Sequence, residues 1–299
     1  MKTKEAQNIT DLKTLAENYL LAVMPADKFG ILLKAEEILK EYTYTTKAKL
    51  LKGLQISYFA NVNSSQKIEK GRKQNFDTLV LYLSASKNAG VDLCKFASTG
   101  CRLACLVASG HALIDRRSGK NKIDVSRIVK SWLSIYQKDI AETVLCAEIE
   151  SAKKRAKRKG RKFSVRLNGT SDIDFYNVIN AFPDVQFYDY TKDPERIELA
   201  NYHLTFSYSQ ANQARINHYK QAIARGQSIA FPVIASDFEQ ACTLPDCYSM
   251  DETDLRFLDN AGKYGILKAK VTENLKDGVK NKFLLSLNDL KQVIESIES

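Results

Sequence analysis

Apolar residues recur at steps of three and four through the first 75 positions, at Leu12, Leu15, Tyr19 and Ala22 and again at Ile31, Leu32, Ala35, Ile38 and Leu39. That spacing predicts an N-terminal helical layer. Between Asn61 and Asn75 the chain turns polar, which predicts a boundary loop and divides it into a helical segment, 1–75, and a main domain, 76–299. Residues 78–83 form a short apolar run of the kind a strand buried on both faces needs. Helical spacing returns over 124–137 and 139–159, where Ile140, Val144, Cys146, Ile149 and Ala152 lie on or near one face before Gly160 stops the second helix. Beyond Phe163 the pattern alternates, with strands predicted at 163–168, 185–190, 202–208, 228–234 and 265–271. Helices are predicted between and after them at 173–182, 193–200, 211–225 and 287–297.

Repeated β-α units of this kind predict the α/β class with a parallel sheet. A complete or partial (β/α) barrel-like core is preferred to an open doubly wound sheet, because no glycine-rich nucleotide loop marks a switch point. A chain of 299 residues can bury a full core without covalent or metal staples, so stability does not account for its cysteines. With 44% hydrophobic and 27% charged residues, 13 Gly and 5 Pro, the composition excludes collagen-like, low-complexity and largely disordered chains. The first residues lack a secretory pattern. The longest uncharged apolar run near them, 19–26, is far short of the roughly twenty residues a membrane helix requires. A cytoplasmic location is expected, with no membrane partner.

Net charge is +10, and the stretch 153–162 supplies eight positive charges with no acid among them. The basic balance is therefore one local feature. Lys157, Arg158 and Arg161 within it are candidates for contact with a polyanion such as nucleic acid. The plainer reading is a solvated helix end whose lysines and arginines complement the negative pole of the helix dipole.

Three of the six cysteines fall within twelve residues as Cys94-x6-Cys101-x3-Cys105, just after the first predicted strand. A disulfide is disfavoured in a reducing compartment, whereas soft thiolates gathered by one loop suit a metal or a cluster. His111 would complete a Cys3His zinc site, although its spacing matches no standard zinc-finger pattern. Alternatively the three thiols hold an iron–sulfur cluster with one iron open, or remain unligated. This placement resembles that of the radical-SAM enzymes, which carry three cysteines in the loop after the first strand of a partial barrel and use S-adenosylmethionine. Their usual Cys-x3-Cys-x2-Cys pattern is absent here. Cys242 and Cys247, five residues apart beside Pro245, are expected to be structural thiols.

The predicted strand ends carry the other candidates. In Arg166-Leu167-Asn168-Gly169-Thr170-Ser171-Asp172-Ile173 a strand runs into a polar turn that ends in a carboxylate, where a parallel barrel presents catalytic groups. Asp172 is a candidate base or nucleophile and Arg166, Asn168 and Ser171 are candidate substrate contacts, while helix capping by Ser171 or Asp172 is the structural alternative. The next strand ends in Asp189 and Lys192, candidates to converge with Asp172, or else a simple ion pair. The strand after it ends in hydroxyls, of which Ser207 is the candidate contact. Tyr188 and Tyr190 have the chemistry of nucleic-acid nicking but the alternation of packing residues, and the charged run Asp251, Asp254, Arg256 and Asp259 reads either as a solvated loop or as one whose Asp251 or Asp254 faces the same pocket.

The words Gly100-Cys101-Arg102-Leu103-Ala104-Cys105-Leu106, Arg166 to Ile173 as spelled above, Phe187-Tyr188-Asp189-Tyr190-Thr191-Lys192 and Tyr202-His203-Leu204-Thr205-Phe206-Ser207 together resemble a family of uncharacterised bacteriophage proteins. The resemblance covers about residues 78 to 272 and implies a phage-encoded cytoplasmic protein. It brings no assigned reaction. The combined expectation is an enzyme acting on nucleic acid or a nucleotide, with base modification as its chemistry and a Cys-ligated metal or cluster beside a carboxylate-lined pocket. Two alternatives are a radical-SAM-like iron–sulfur enzyme on another substrate and a non-enzymatic, zinc-containing nucleic-acid-binding protein.

Overall fold

The computed structural model describes residues 58–60, 62, 66–105, 122–259, 263–270 and 275–299. Helix α1 (Gln66–Lys73) leads into β1 (Phe76–Val80), and the long connection after β1 carries the short α2 (Thr99–Leu103). Then come α3 (Lys122–Tyr136), α4 (Lys138–Arg158), β2 (Lys162–Arg166), α5 (Tyr176–Asn180), β3 (Gln186–Thr191), β4 (Tyr202–Ser207), α6 (Gln213–Ala224) and β5 (Ile229–Val233). The chain closes with α7 (Phe238–Ala241), β6 (Cys247–Ser249), a 3-10 turn (Arg256–Leu258), β7 (Tyr264–Lys268), α8 (Leu275–Lys280) and α9 (Leu287–Glu298).

The seven strands form one all-parallel sheet in the order β1-β2-β3-β4-β5-β7-β6. Strands β1 to β5 lie side by side in chain order, as successive same-handed crossovers require. Leu79, Val165, Phe187 and Leu204 share one face and bury against α3, α4 and α5. Phe206, Ile229, Phe231 and Ile266 continue that face against α6 and α9. These two clusters are the main core.

The opposite face carries Thr78, Ser164, Arg166, Tyr188, Tyr190, Thr205 and Tyr248, all from positions alternating with the core residues. It is mostly polar yet covered. Leu255 and Arg256 of the β6–β7 connection are wholly buried, and Phe257 packs edge-on against Phe76 and Tyr188 at 5.3 and 5.4 Å. Tyr188 is thus a packing residue.

The strands follow the predicted pattern within three residues at every end, apart from the three-residue β6, which carries no apolar run. Two other expectations differ. The polar stretch 61–75 has the composition of a loop, but 66–73 is helical, with Gly71 set against Thr78 and Leu255. The helix predicted over 193–200 is absent, because Asp193 turns back to accept from the Glu195 amide and Arg196 reaches for Asp172. The N-terminal helical layer before residue 58 lies outside the described residues. Among the described residues no helix is long and apolar enough to cross a membrane.

Candidate functional site

A cavity of about 260 Å³ opens at the carboxyl ends of the strands. Its walls are Arg166 and 168–172 after β2, 190–192 at the end of β3, Ser207 of β4, Pro232 of β5 and 267–270 at the end of β7. The post-β1 loop closes one side with Cys94, Cys101 and Cys105, and Asp251, Thr253 and Asp254 enter from the β6–β7 connection. Parallel strands place all their carboxyl ends together, which is why segments far apart in sequence meet here.

The cysteine loop is held firmly. Ser98 caps α2 by accepting from the Cys101 amide at 3.2 Å, and its own amide and hydroxyl donate to Ser209 beyond β4 at 3.0 and 2.9 Å. Arg102 spans the loop, pairing with Asp92 at 3.0 Å and donating to the Cys94 carbonyl at 3.0 Å and to Ser86 Oγ. Arg215 of α6 joins this loop to β3 by donating to the Phe96 and Lys192 carbonyls. Gly100 and Gly278 let α2 settle against the chain around α8, since a Cβ on either would lie 2.8 Å from Phe283 Cβ or Ala104 Cβ. Burial pushes the Cys94 thiol up to about 12. Its sulfur accepts from the Ser86 amide and donates to the Thr170 carbonyl.

The predicted trio of Asp172, Asp189 and Lys192 is only partly assembled. Asp172 and Lys192 line the cavity. Asp189 instead points to the helix-covered face and accepts from the Asn168 amide at 2.8 Å, from Asn168 Nδ2 at 3.1 Å and from Tyr202 Oη at 3.1 Å. Burial raises its pKa. Strand alternation explains the separation: Asp189 shares the face of Phe187, and Lys192 lies beyond the strand's end. Neither an Asp189–Lys192 ion pair nor a shared catalytic duty follows from that geometry.

Asp172 also differs from a free carboxylate. One oxygen accepts from Arg196 Nη1 and the other from the Lys192 amide, each at 2.8 Å. Asn168 and Ser171 line the cavity but spend their polar atoms on the turn itself, since Asn168 Oδ1 accepts from Ser171 Oγ and the Ile173 amide. Arg166 forms the floor, bonded to Asp254 at 3.0 Å and lying 4.9 Å from the Tyr190 ring. Lys192 is the exception. Its Nζ donates to Ser207 Oγ at 2.9 Å, and among the described residues it has no carboxylate partner.

The basic stretch lies elsewhere. Helix α4 ends where β2 begins, and β2 starts level with the first residue of β1, so Lys157 and Arg158 sit at the amino-terminal end of the sheet. Arg161 there holds the buried Asp77 at 2.8 Å. About 16 Å of strand separates this end from the cavity mouth. The stretch therefore cannot be the cavity's approach surface.

Arg102, Asp92, Arg196, Arg215 and Ser209 carry no signal in the sequence, although Arg102 stands inside the Cys-containing word. Nothing local marks them, because each acts through partners distant in sequence. Cys242 and Cys247 pack at the edge of the helix-side core, as structural thiols would.

Among the described residues no group of three His, Cys, Asp or Glu side chains is arranged to hold a metal ion. A single zinc ion draws its thiolates into close mutual contact and so does not fit the cysteines as they stand. Its suggested fourth ligand, His111, lies outside the described residues. A cluster spreads its ligands over several irons and tolerates wider spacing, and three thiols on one wall match it in type and number.

No curated protein and no solved structure matches the chain. A family model described as Gene product 88 matches residues 47–282, starting well before the motif-bearing region and running past its end. The cysteine loop, the strand ends and nearly all of the cavity wall fall inside that match. The chain belongs to the phage-derived Gene product 88 family.

Proposed function

We propose that the protein is an enzyme built on an incomplete parallel (β/α) barrel, that it works in the cavity at the strand ends, and that Cys94, Cys101 and Cys105 hold an iron–sulfur cluster there. One observation carries this reading: three thiols from a single short segment after β1 line the cavity on which the other strand ends converge. The sequential order of β1 to β5, with α3, α4, α5, α6 and α9 all on one face, supports the barrel. Bound at those thiols, the cluster would supply one-electron chemistry at its open iron, with S-adenosylmethionine as partner cofactor.

The chain's own side chains divide the remaining work. Lys192, bonded to the Ser207 hydroxyl and lying over the Phe283 ring with no carboxylate partner among the described residues, holds a phosphate or carboxylate of the entering molecule. Pro232, Leu267, Phe283 and Leu284 exclude water from the wall, which strengthens that charge interaction. Asp172, with both oxygens engaged, is a positioning residue that fixes Lys192 through its amide. Arg166 and Asp254 neutralise one another on the floor. The substrate class is nucleic acid or a nucleotide and the reaction a base modification, supported by the Lys192 cation and, by association alone, by the phage family.

The test is the metal and sulfide content and visible absorption of the full chain purified without oxygen. Brown protein with iron and inorganic sulfide, both lost in Cys101→Ala, is the expected result. Colourless protein with stoichiometric zinc would favour the nucleic-acid-binding alternative. Folded protein free of metal would remove the thiolate centre altogether.

A further inference from the structure

We infer that the amino-terminal end of the β1–β2 edge is a docking surface for the phosphate backbone of a nucleic-acid duplex, separate from the cavity. Three pieces of chain meet there: the end of α1, the end of α4 and the start of β2. Lys73, Arg155, Lys157, Arg158, Lys159 and Lys162 are all exposed. Among the described residues none of the six has a carboxylate partner, whereas the neighbouring Lys153 and Lys154 are paired with Asp184 and Glu150. Of the acids on these pieces of chain, Asp77 is buried and held by Arg161 and Arg72, and the exposed Glu69 is paired with Arg72, so neither stands as a free negative charge beside the patch.

Dipole compensation does not account for this surface. Two helix carboxyl ends bring roughly half a negative charge each, about one in all. Six unpaired cations exceed that several-fold, and Lys159 and Lys162 lie beyond the helix. The frame is also fixed: Lys162 donates its amide to the Asn75 carbonyl, and the Arg161 amide returns to the Ala156 carbonyl. Cations on a fixed frame lose little entropy when a polyanion arrives.

The side chains around the patch select its partner. A membrane surface calls for apolar groups that enter the headgroup layer beside the cations. The described exposed large hydrophobics, Tyr58, Leu103, Ile135, Ile197, Leu258 and Val279, belong to none of these three pieces of chain. Single strands are gripped by aromatic platforms. Of the two aromatic rings here, Phe76 is buried beneath Lys162 and the half-buried Phe163 packs against the helix-side core, so neither offers an open face. Phosphate contact without stacking or insertion is what a duplex backbone asks for. This inference does not depend on what the cavity does.

The experiment is fluorescence anisotropy of the full chain with a labelled random-sequence DNA duplex of about 25 base pairs across a salt series. If all six cations engage, affinity falls about a thousandfold between roughly 50 and 200 mM salt. Replacing Lys157, Arg158, Lys159 and Lys162 together by Gln flattens the log–log salt slope by about three to four units, and Lys157→Gln alone by about one. The single variant decides the matter if the fourfold variant melts early. Lys291→Gln, an equal loss of charge on the exposed side of α9, leaves slope and affinity as in the parent chain. Wild-type slope in both surface variants, an equal loss in Lys291→Gln, or a preference for single strands or for phosphatidylserine vesicles would each overturn the inference. None of these outcomes bears on the iron and sulfide measurement.

Discussion

Asp172 is the residue at which the chemical and the structural readings part most sharply. Its position after β2, at the rim of the cavity, suits a catalytic base. Its bonds say otherwise, because one oxygen accepts from Arg196 and the other from the Lys192 amide, which makes the carboxylate a tie between the β2 turn and the chain after β3. Removing it would take the ion-pair partner from the buried Arg196 guanidinium and leave it the Ile173 carbonyl and the Tyr202 ring. Asp172→Ala should therefore destabilise the chain by roughly 3–5 kcal/mol, the usual cost of leaving one half of a buried pair. Thermal or urea melting checks this, and a variant as stable as the parent would return Asp172 to the catalytic candidates. Sequence alone supplies the location of this residue but not Arg196, 24 positions away, which decides its role.

At the scale of elements, most of the sheet is legible in the sequence because each long strand carries its own apolar signal, as in Val165, Phe187, Leu204, Phe206 and Phe231. What is not legible comes from contacts over distance. Residues 193–200 have reasonable helical spacing, yet Asp193 and Arg196 bond elsewhere and the helix does not form. The basic stretch has the charge of an approach surface for the active end, although a helix that runs into a parallel strand must finish at that strand's start. Two glycines show the difference between local and distant demands. Gly160 ends α4 at φ +64 with nothing within 4 Å of where a side-chain carbon would stand, so Gly160→Ala meets backbone strain alone and should cost about 1–2 kcal/mol. Gly100→Ala drives a carbon to 2.8 Å from Phe283 Cβ and 3.0 Å from Asn281 Cβ, atoms tied to backbone that cannot swing aside. It should cost roughly 1–3 kcal/mol by overpacking and also shift α2 with Cys101. Melting measures both, while altered alkylation of Cys101 distinguishes the second. Equal thiol reactivity in the two variants would mean that the α2–α8 contact does not position the loop.

For the whole molecule the decisive question is whether the thiols hold the fold or use it. The two apolar clusters that build the core lie on the helix-covered face, and none of Cys94, Cys101 and Cys105 belongs to either. The cysteine loop is fastened by Ser98, Arg102 and Arg215, none of which needs a metal to make its bonds. A chain that depends on thiolate-bound metal for stability loses its structure when the ligands go, because metal-binding energy is then folding energy. Here the opposite is expected. Replacing all three cysteines by Ser should move the melting temperature only a few degrees, consistent with about 1 kcal/mol for each altered buried contact, while abolishing any bound iron and sulfide. Scanning calorimetry of the triple variant beside the parent chain, both prepared without oxygen, provides the comparison. A drop of more than about fifteen degrees would exceed what those contacts explain, and would make the loop a structural metal site in which an enzyme's open coordination position has no place.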